Sequence, residues 1–192
     1  MKLDNFTIIG VLAFVLVFLF LLSFGPIITG NIIFDLDKTD LSHYPYPFVK
    51  NSGYNSFFIV LPNNYNTQEL LSARDIAQSL MPGRGFPPEI ITVSELDDDQ
   101  HNLIFIGNPC NSEPIKLILN TKYCTSNLKQ GQGMLYLTNT ELTSSLVVTG
   151  YDSESTRKAA LVLGEYNFYP LYGRRVLING DLNQAFFTLE SF

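Results

Sequence analysis

The stretch NLIFIGNPCNSEPIKLIL, Asn102–Leu119, runs from an apolar strand through Gly107 into a loop of small residues and on to a helix start. Nucleotide-binding proteins use the same shape, with glycines bringing backbone N–H groups to an anion at a helix N-terminus. The rest of that signature is missing. There is no G-x-G-x-x-G and no G-K-[ST], and Pro109 removes an N–H donor that a phosphate cradle would use. The stretch therefore reads as a corner: Gly107 lets the strand turn, and Asn108-Pro109 fixes the turn.

Two other stretches repeat the theme of apolar strand, polar turn and periodic helix. They are FFIVLPNNYNTQELLSARDIAQSL (Phe57–Leu80) and LVVTGYDSESTRKAALVLGEY (Leu146–Tyr166). Each helix start is legible. Asn66 precedes Glu69 at capping-box spacing, Ser112 precedes Glu113-Pro114, and Asp152 or Ser153 can accept the first free N–H groups of the last helix. Leu70, Ala73, Ala77 and Leu80 recur at helical spacing, as do Ala159, Ala160, Leu163 and Tyr166, so these stripes are core. Strands without polar alternation, such as FFIVL and LIFI, suit a sheet covered on both faces. EIITVSEL reads as a further strand, GMLYLT with SSLVVTG as a hairpin around Asn139-Thr140, and RRVLING with AFFTLE as a closing hairpin. The expected fold class is α/β, a mixed-sheet α/β sandwich of strand–loop–helix repeats, with right-handed crossovers wherever strands are parallel.

An N-terminal transmembrane helix precedes this domain. From Phe6 to Phe34 there is no charged residue, and Thr7–Gly25 alone would span about 28 Å as a helix, close to the thickness of a bilayer's hydrocarbon. A cleaved signal peptide is the rival reading, but its apolar region is shorter and ends in an A-x-A-like site, whereas here Ser23-Phe24-Gly25 is followed by Pro26. Lys2 lies before the run, while Asp35, Asp37 and Asp40 against Lys38 follow it, so the positive-inside bias sets the N-terminus inside and the domain outside a cell membrane crossed once. Residues 1–34 are thus expected to form a membrane anchor, 35–56 a Pro- and Tyr-rich linker strap that favours extended chain over helix and docks on the domain, and 57–192 an extracellular α/β domain.

A formal charge of −6 argues against a nucleic-acid partner, which would need a basic face. The adjacent cations Arg157-Lys158 and Arg174-Arg175 read as solvated surface. Cys110 and Cys124 are the only cysteines, they are not in a C-x-x-C, and outside a membrane they can join as a disulfide that staples the corner across the second helix. Closing a loop of about 15 residues would contribute on the order of 3 kcal/mol.

In this order, LLSARDIAQSL, NLIFIGNPCN, GQGMLYLTN and LVVTGYDSESTRKAALVLGEYN resemble the α/β module of archaeal surface-layer proteins, including versions with a cysteine in the loop after the second strand. The likeness covers Pro47 to about Gly180. The resemblance implies a structural cell-envelope module outside the cell, sometimes present in one copy on a membrane-anchored protein. Its partners would be the membrane and other envelope or surface-layer proteins or glycans. This chain is short for a lattice former, which points equally to an accessory envelope protein.

No catalytic constellation emerges, so the chain is read as a structural protein and not an enzyme, with no cofactor or metal. There is no G-x-S-x-G or H-E-x-x-H. His43 in the strap and His101 beside DDDQH read as surface residues, and the consecutive Asp97-Asp98-Asp99 lacks the spaced ligands of a calcium loop. A tethered binding or enzymatic domain is the alternative reading. It would use the loops at the strand carboxyl ends, where the candidate ligand-edge residues are Asn63, Asn64, Asn108, Asn111, Asp152 and Ser153.

Overall fold

The computed structural model describes residues 40–49, 57–81, 87–97, 101–125, 127–140, 142–182 and 187–192. The expected anchor lies outside them, as do residues 35–39 and 50–56 of the expected strap. Among the described residues, no helix is long and apolar enough to cross a membrane.

The apolar runs become strands in one mixed seven-stranded sheet: β1 (Phe57–Leu61), β2 (Glu89–Thr92), β3 (Asn102–Ile106), β4 (Gly133–Asn139), β5 (Ser144–Gly150), β6 (Arg175–Asn179) and β7 (Thr188–Ser191), in the order β2-β1-β3-β5-β4-β6-β7. β2, β1, β3 and β5 are parallel; β4 runs against both β5 and β6, and β7 against β6. Both expected hairpins form. EIITVSEL is a strand only to Thr92, after which Val93–Glu95 make a 3₁₀ turn.

Three α-helices complete the described residues: α1 (Thr67–Ser79), α2 (Glu113–Ile118) and α3 (Ser153–Gly164). The lack of polar alternation is explained by apolar cover on both faces. Ile59, Ile104, Leu146 and Val148 pack with Ala73 and Ile76 of α1 and Ala160 and Leu163 of α3. On the other face Val60, Phe105 and Val147 meet Ile115 of α2. Helix α3 comes very near the sheet because Gly133 and Gly150 pair across β4 and β5 beneath it. A Cβ on Gly150 would stand 2.3 Å from the Thr156 nitrogen, and one on Gly133 2.6 Å from the Ser155 carbonyl oxygen.

The expectation of right-handed crossovers throughout is not met. α1 and α3 share one face of the sheet, yet β1-α1-β2 steps toward one side and β5-α3-β6, passing over β4, steps toward the other. Two crossovers on one face that step in opposite directions have opposite hands, so only one can follow the rule. The hairpin β4–β5 is the local reason: β4 occupies the place beside β5, and α3 must span it to reach β6.

The described part of the strap, residues 40–49, is not extended. Leu41–His43 form a 3₁₀ turn capped by Asp40, whose carboxylate accepts from the Ser42 N–H at 2.9 Å; the Tyr44–Pro45 and Tyr46–Pro47 peptides are cis. Leu41, Tyr44 and Phe48 are buried in the same core as β1 and α3. Phe48 meets Phe57 edge-on at 5.7 Å, and Tyr44 meets Tyr166 at 5.1 Å. Burial, with Tyr166 adding to it, pushes the Tyr44 hydroxyl well above the usual phenol range, and that hydroxyl has no hydrogen-bond partner. Prolines between aromatics exclude a long helix, but the aromatics themselves need burial and pull the segment into the core.

Candidate functional site

Because β1, β3 and β5 are parallel neighbours, the loops that follow them meet at one C-terminal edge of the sheet. All the candidate ligand-edge residues lie there. The loops after β1 and β3 are tied together by one buried carboxylate. Glu69, in the first turn of α1, accepts from the Asn66 N–H at 2.9 Å, while the Asn66 side chain accepts from the Glu69 N–H at 3.0 Å, completing the predicted capping box. The other oxygen of Glu69 accepts from the Asn111 amide at 2.9 Å, across 42 residues of sequence.

The N–H groups that a phosphate cradle would need are consumed inside the corner. Asn108 N–H donates to the Asn111 side chain at 3.1 Å, Cys110 N–H to the Asn108 side chain at 2.9 Å, and Asn111 N–H to the Asn108 carbonyl at 3.2 Å. Gly107 turns the strand at a φ of +140°, and a Cβ there would stand 2.9 Å from Pro62. Cys110 and Cys124 are joined, with Cα atoms 4.7 Å apart, so the staple spans α2 as expected. Ser112 makes no side-chain cap bond, so α2 starts at Glu113, with Pro114 in its first turn, without it.

Elsewhere on this edge, Asn63 accepts from the Ser94 N–H at 2.9 Å and holds the 3₁₀ turn after β2, while Asn64 is exposed. Asp152 is the α3 cap, accepting from the Ser155 N–H at 2.7 Å and its hydroxyl at 2.6 Å; Ser153 is the first helical residue and does not cap. Partial burial pushes the Asp152 carboxyl up, but the Ser155 hydrogen bonds and the charge of Lys158 outweigh it and bring it below the ordinary carboxylate range. Asn63, Asn108, Asn111 and Asp152 thus hold neighbouring loops or helix ends.

The cation pair in α3 is not solvated surface. Lys158 is buried, and its ammonium donates to the carbonyls of Gly131 and of Gly180, the latter at 2.7 Å, fixing the loops before β4 and after β6. Arg157 pairs with Asp75 of α1 and joins the two helices. Lys158 stands four residues before buried Val162, at the rim of the helical stripe, and only that spacing hinted at its position.

A cavity of about 160 Å³ lies beside the chain that the disulfide staples. Leu119, Leu128, Met134 and Leu177 give it an apolar wall, and Asn120, Thr121, Asn127 and Arg175 a polar rim. Arg175 stacks over Tyr136 at 5.3 Å. The histidines are far from it in sequence and setting: His43 sits 3.2 Å from Asp40 on the surface, and His101 packs edge-on to Phe58 with Asp97 at 3.8 Å. Among the described residues no three His, Cys, Asp or Glu side chains gather as metal ligands, and Asp98 and Asp99 lie outside them. No protein-family model matches the chain, and no curated protein matches it.

Proposed function

We propose that this chain is a membrane-anchored structural module of the cell envelope, akin to a surface-layer domain, with Phe6–Phe34 as a transmembrane helix, the N-terminus inside and the α/β domain outside. The bridge between Cys110 and Cys124 is the observation that carries it, since such bonds persist in oxidising surroundings. Combined with an uncharged apolar run long enough to span a bilayer, it favours an external domain on a retained anchor. The C-terminal edge, closed by hydrogen bonds between its own loops, suits a module that holds its shape and meets other envelope proteins or glycans through its surface, without catalysis. The cavity beside Arg175 favours a second reading, a tethered binding domain.

Fractionation tests the first reading. The full chain is expected to stay with membranes through alkaline carbonate. On intact cells, an impermeant maleimide is expected to label Cys110 and Cys124 only after an impermeant reductant. A soluble protein whose N-terminus begins near Asn31, or thiols that react without reduction, overturns it.

A further inference from the structure

The cavity beside Arg175 exists because helical cover stops short of one part of the sheet. Register puts Met134 opposite Leu177 and Tyr136 opposite both Arg175 and Val147, so these side chains share the face that α2 covers. Helix α2 has only six residues, and its Ile115 packs over Val60, Phe105 and Val147, on β1, β3 and β5. Over β4 and β6 the cover passes to the chain that follows α2, from which Leu119, Asn120, Thr121, Asn127 and Leu128 line the void. Asn120 and Asn127 turn that chain at φ of +46° and +61°, and the Cys110–Cys124 bridge fastens it at a point between them in sequence. The wall is therefore held before any ligand arrives, which lowers the ordering cost of binding.

We propose that this cavity binds a small organic carboxylate with a compact apolar body, the body lying against Leu119, Leu128, Met134 and Leu177 and the carboxylate meeting Arg175. This deepens the second reading above, a tethered binding domain, and rests on it. The sign of the ligand follows from Arg175. Its guanidinium stacks over Tyr136 at 5.3 Å, and among the described residues it makes no ion pair. Nearby acids are engaged elsewhere: Glu190, opposite Leu177 in the register, accepts from the Asn179 amide at 3.2 Å, and Glu113 stands 3.4 Å from Lys116. Although the protein carries a formal charge of −6, residues 114–140, which supply most of the lining, include Lys116, Lys122 and Lys129 and no acid. A planar guanidinium already set in place by a ring can meet a carboxylate through two parallel N–H bonds.

The size and polarity of the body follow from the wall. An apolar void of about 150 Å³ holds one benzene, so a cavity of about 160 Å³ admits a body of similar size. A sugar ring suits it less, because hydroxyls turned to the four aliphatic side chains would lose water without gaining partners. Asn120, Thr121 and Asn127 stand at the rim, where their amides and hydroxyl can donate to the carboxylate beside Arg175.

The test uses the full chain in phosphatidylcholine nanodiscs with carbon-13 in the methionine methyl groups. The sequence has three methionines, so Met134 in the cavity wall reports binding while Met1 and Met81 serve as controls. Sodium benzoate is expected to move the Met134 signal saturably and to leave the other two in place. Benzamide, of the same shape without the charge, is expected to bind about tenfold more weakly, as is benzoate to Arg175→Gln. Arg175 is exposed, so its replacement leaves the core intact. Equal binding of benzoate and benzamide, or benzoate binding undiminished in Arg175→Gln, overturns the carboxylate inference and leaves the binding-domain reading standing. Glucuronate binding more tightly than benzoate overturns the apolar body and assigns the cavity to an acidic sugar. A Met134 signal that none of these ligands moves overturns the inference and the binding-domain reading together.

Discussion

The two edges of the sheet are held in order by different forces. At the C-terminal edge polar side chains close on one another: Glu69 spans two loops, Asp152 caps α3, and the Cys110–Cys124 bridge fastens the corner. At the N-terminal edge the order comes from burial, with Leu41, Tyr44 and Phe48 drawn into the core while Leu142 and Phe168 remain outside. The difference teaches that hydrogen bonds fix the direction of loops that turn between strands and helices, whereas residues 40–49 are held chiefly by the apolar area that they bury.

The contrast is broken most strongly at Phe48. Phe48→Ala removes a fully buried ring next to Phe57 and is expected to cost about 4 kcal/mol in denaturant unfolding. A loss below about 1 kcal/mol would mean that the strap is not part of the core. At the other edge, Glu69→Ala leaves the Asn111 amide and the Asn66 N–H without their acceptor and is expected to cost about 2 kcal/mol. A double-mutant cycle with Asn111→Ala should show coupling between the two; additive losses would dissolve the link between the loops.

Asp152→Ala sharpens the comparison at its smallest scale, with an expected loss of about 1 kcal/mol at neutral pH from the missing cap. The folded carboxyl titrates below its ordinary value of 3.8, so its contribution is present above that value and is lost as pH falls through the folded one. Unfolding curves of the two proteins should therefore converge in acid. A gap that persists unchanged below the folded value would assign the effect to something other than the carboxylate.

The strand–loop–helix units were readable because each begins with a local signal, as with Asn66 and Glu69, three residues apart and reciprocally bonded. The corner was readable for the same reason: Gly107 and Asn108 do their work within a few residues, whereas the bond from Asn111 to Glu69 crosses 42 residues and was not. Lys158 was not, because its carbonyl partners lie 27 and 22 residues away and are brought near only by strand order. The strap was expected to dock, and residues 40–49 do, but their turned form was not legible, since Pro45 and Pro47 argue against a long helix without saying how the chain folds to bury its aromatics. The hand of β5-α3-β6 depends on β4 lying between its strands, which no window of sequence contains.

Both α1 and α3 start at the C-terminal edge and lie on one face, so they run side by side in the same direction. Their peptide dipoles therefore add, and the domain carries partial positive charge at one edge and partial negative charge at the other. Glu69 and Asp152 stand at the positive ends, and the Arg157–Asp75 pair clasps two helices whose aligned fields would otherwise push them apart. The acidic caps thus do more than close two helix starts. They offset the partial charge that the shared direction of the helices would leave at the C-terminal edge of the sheet.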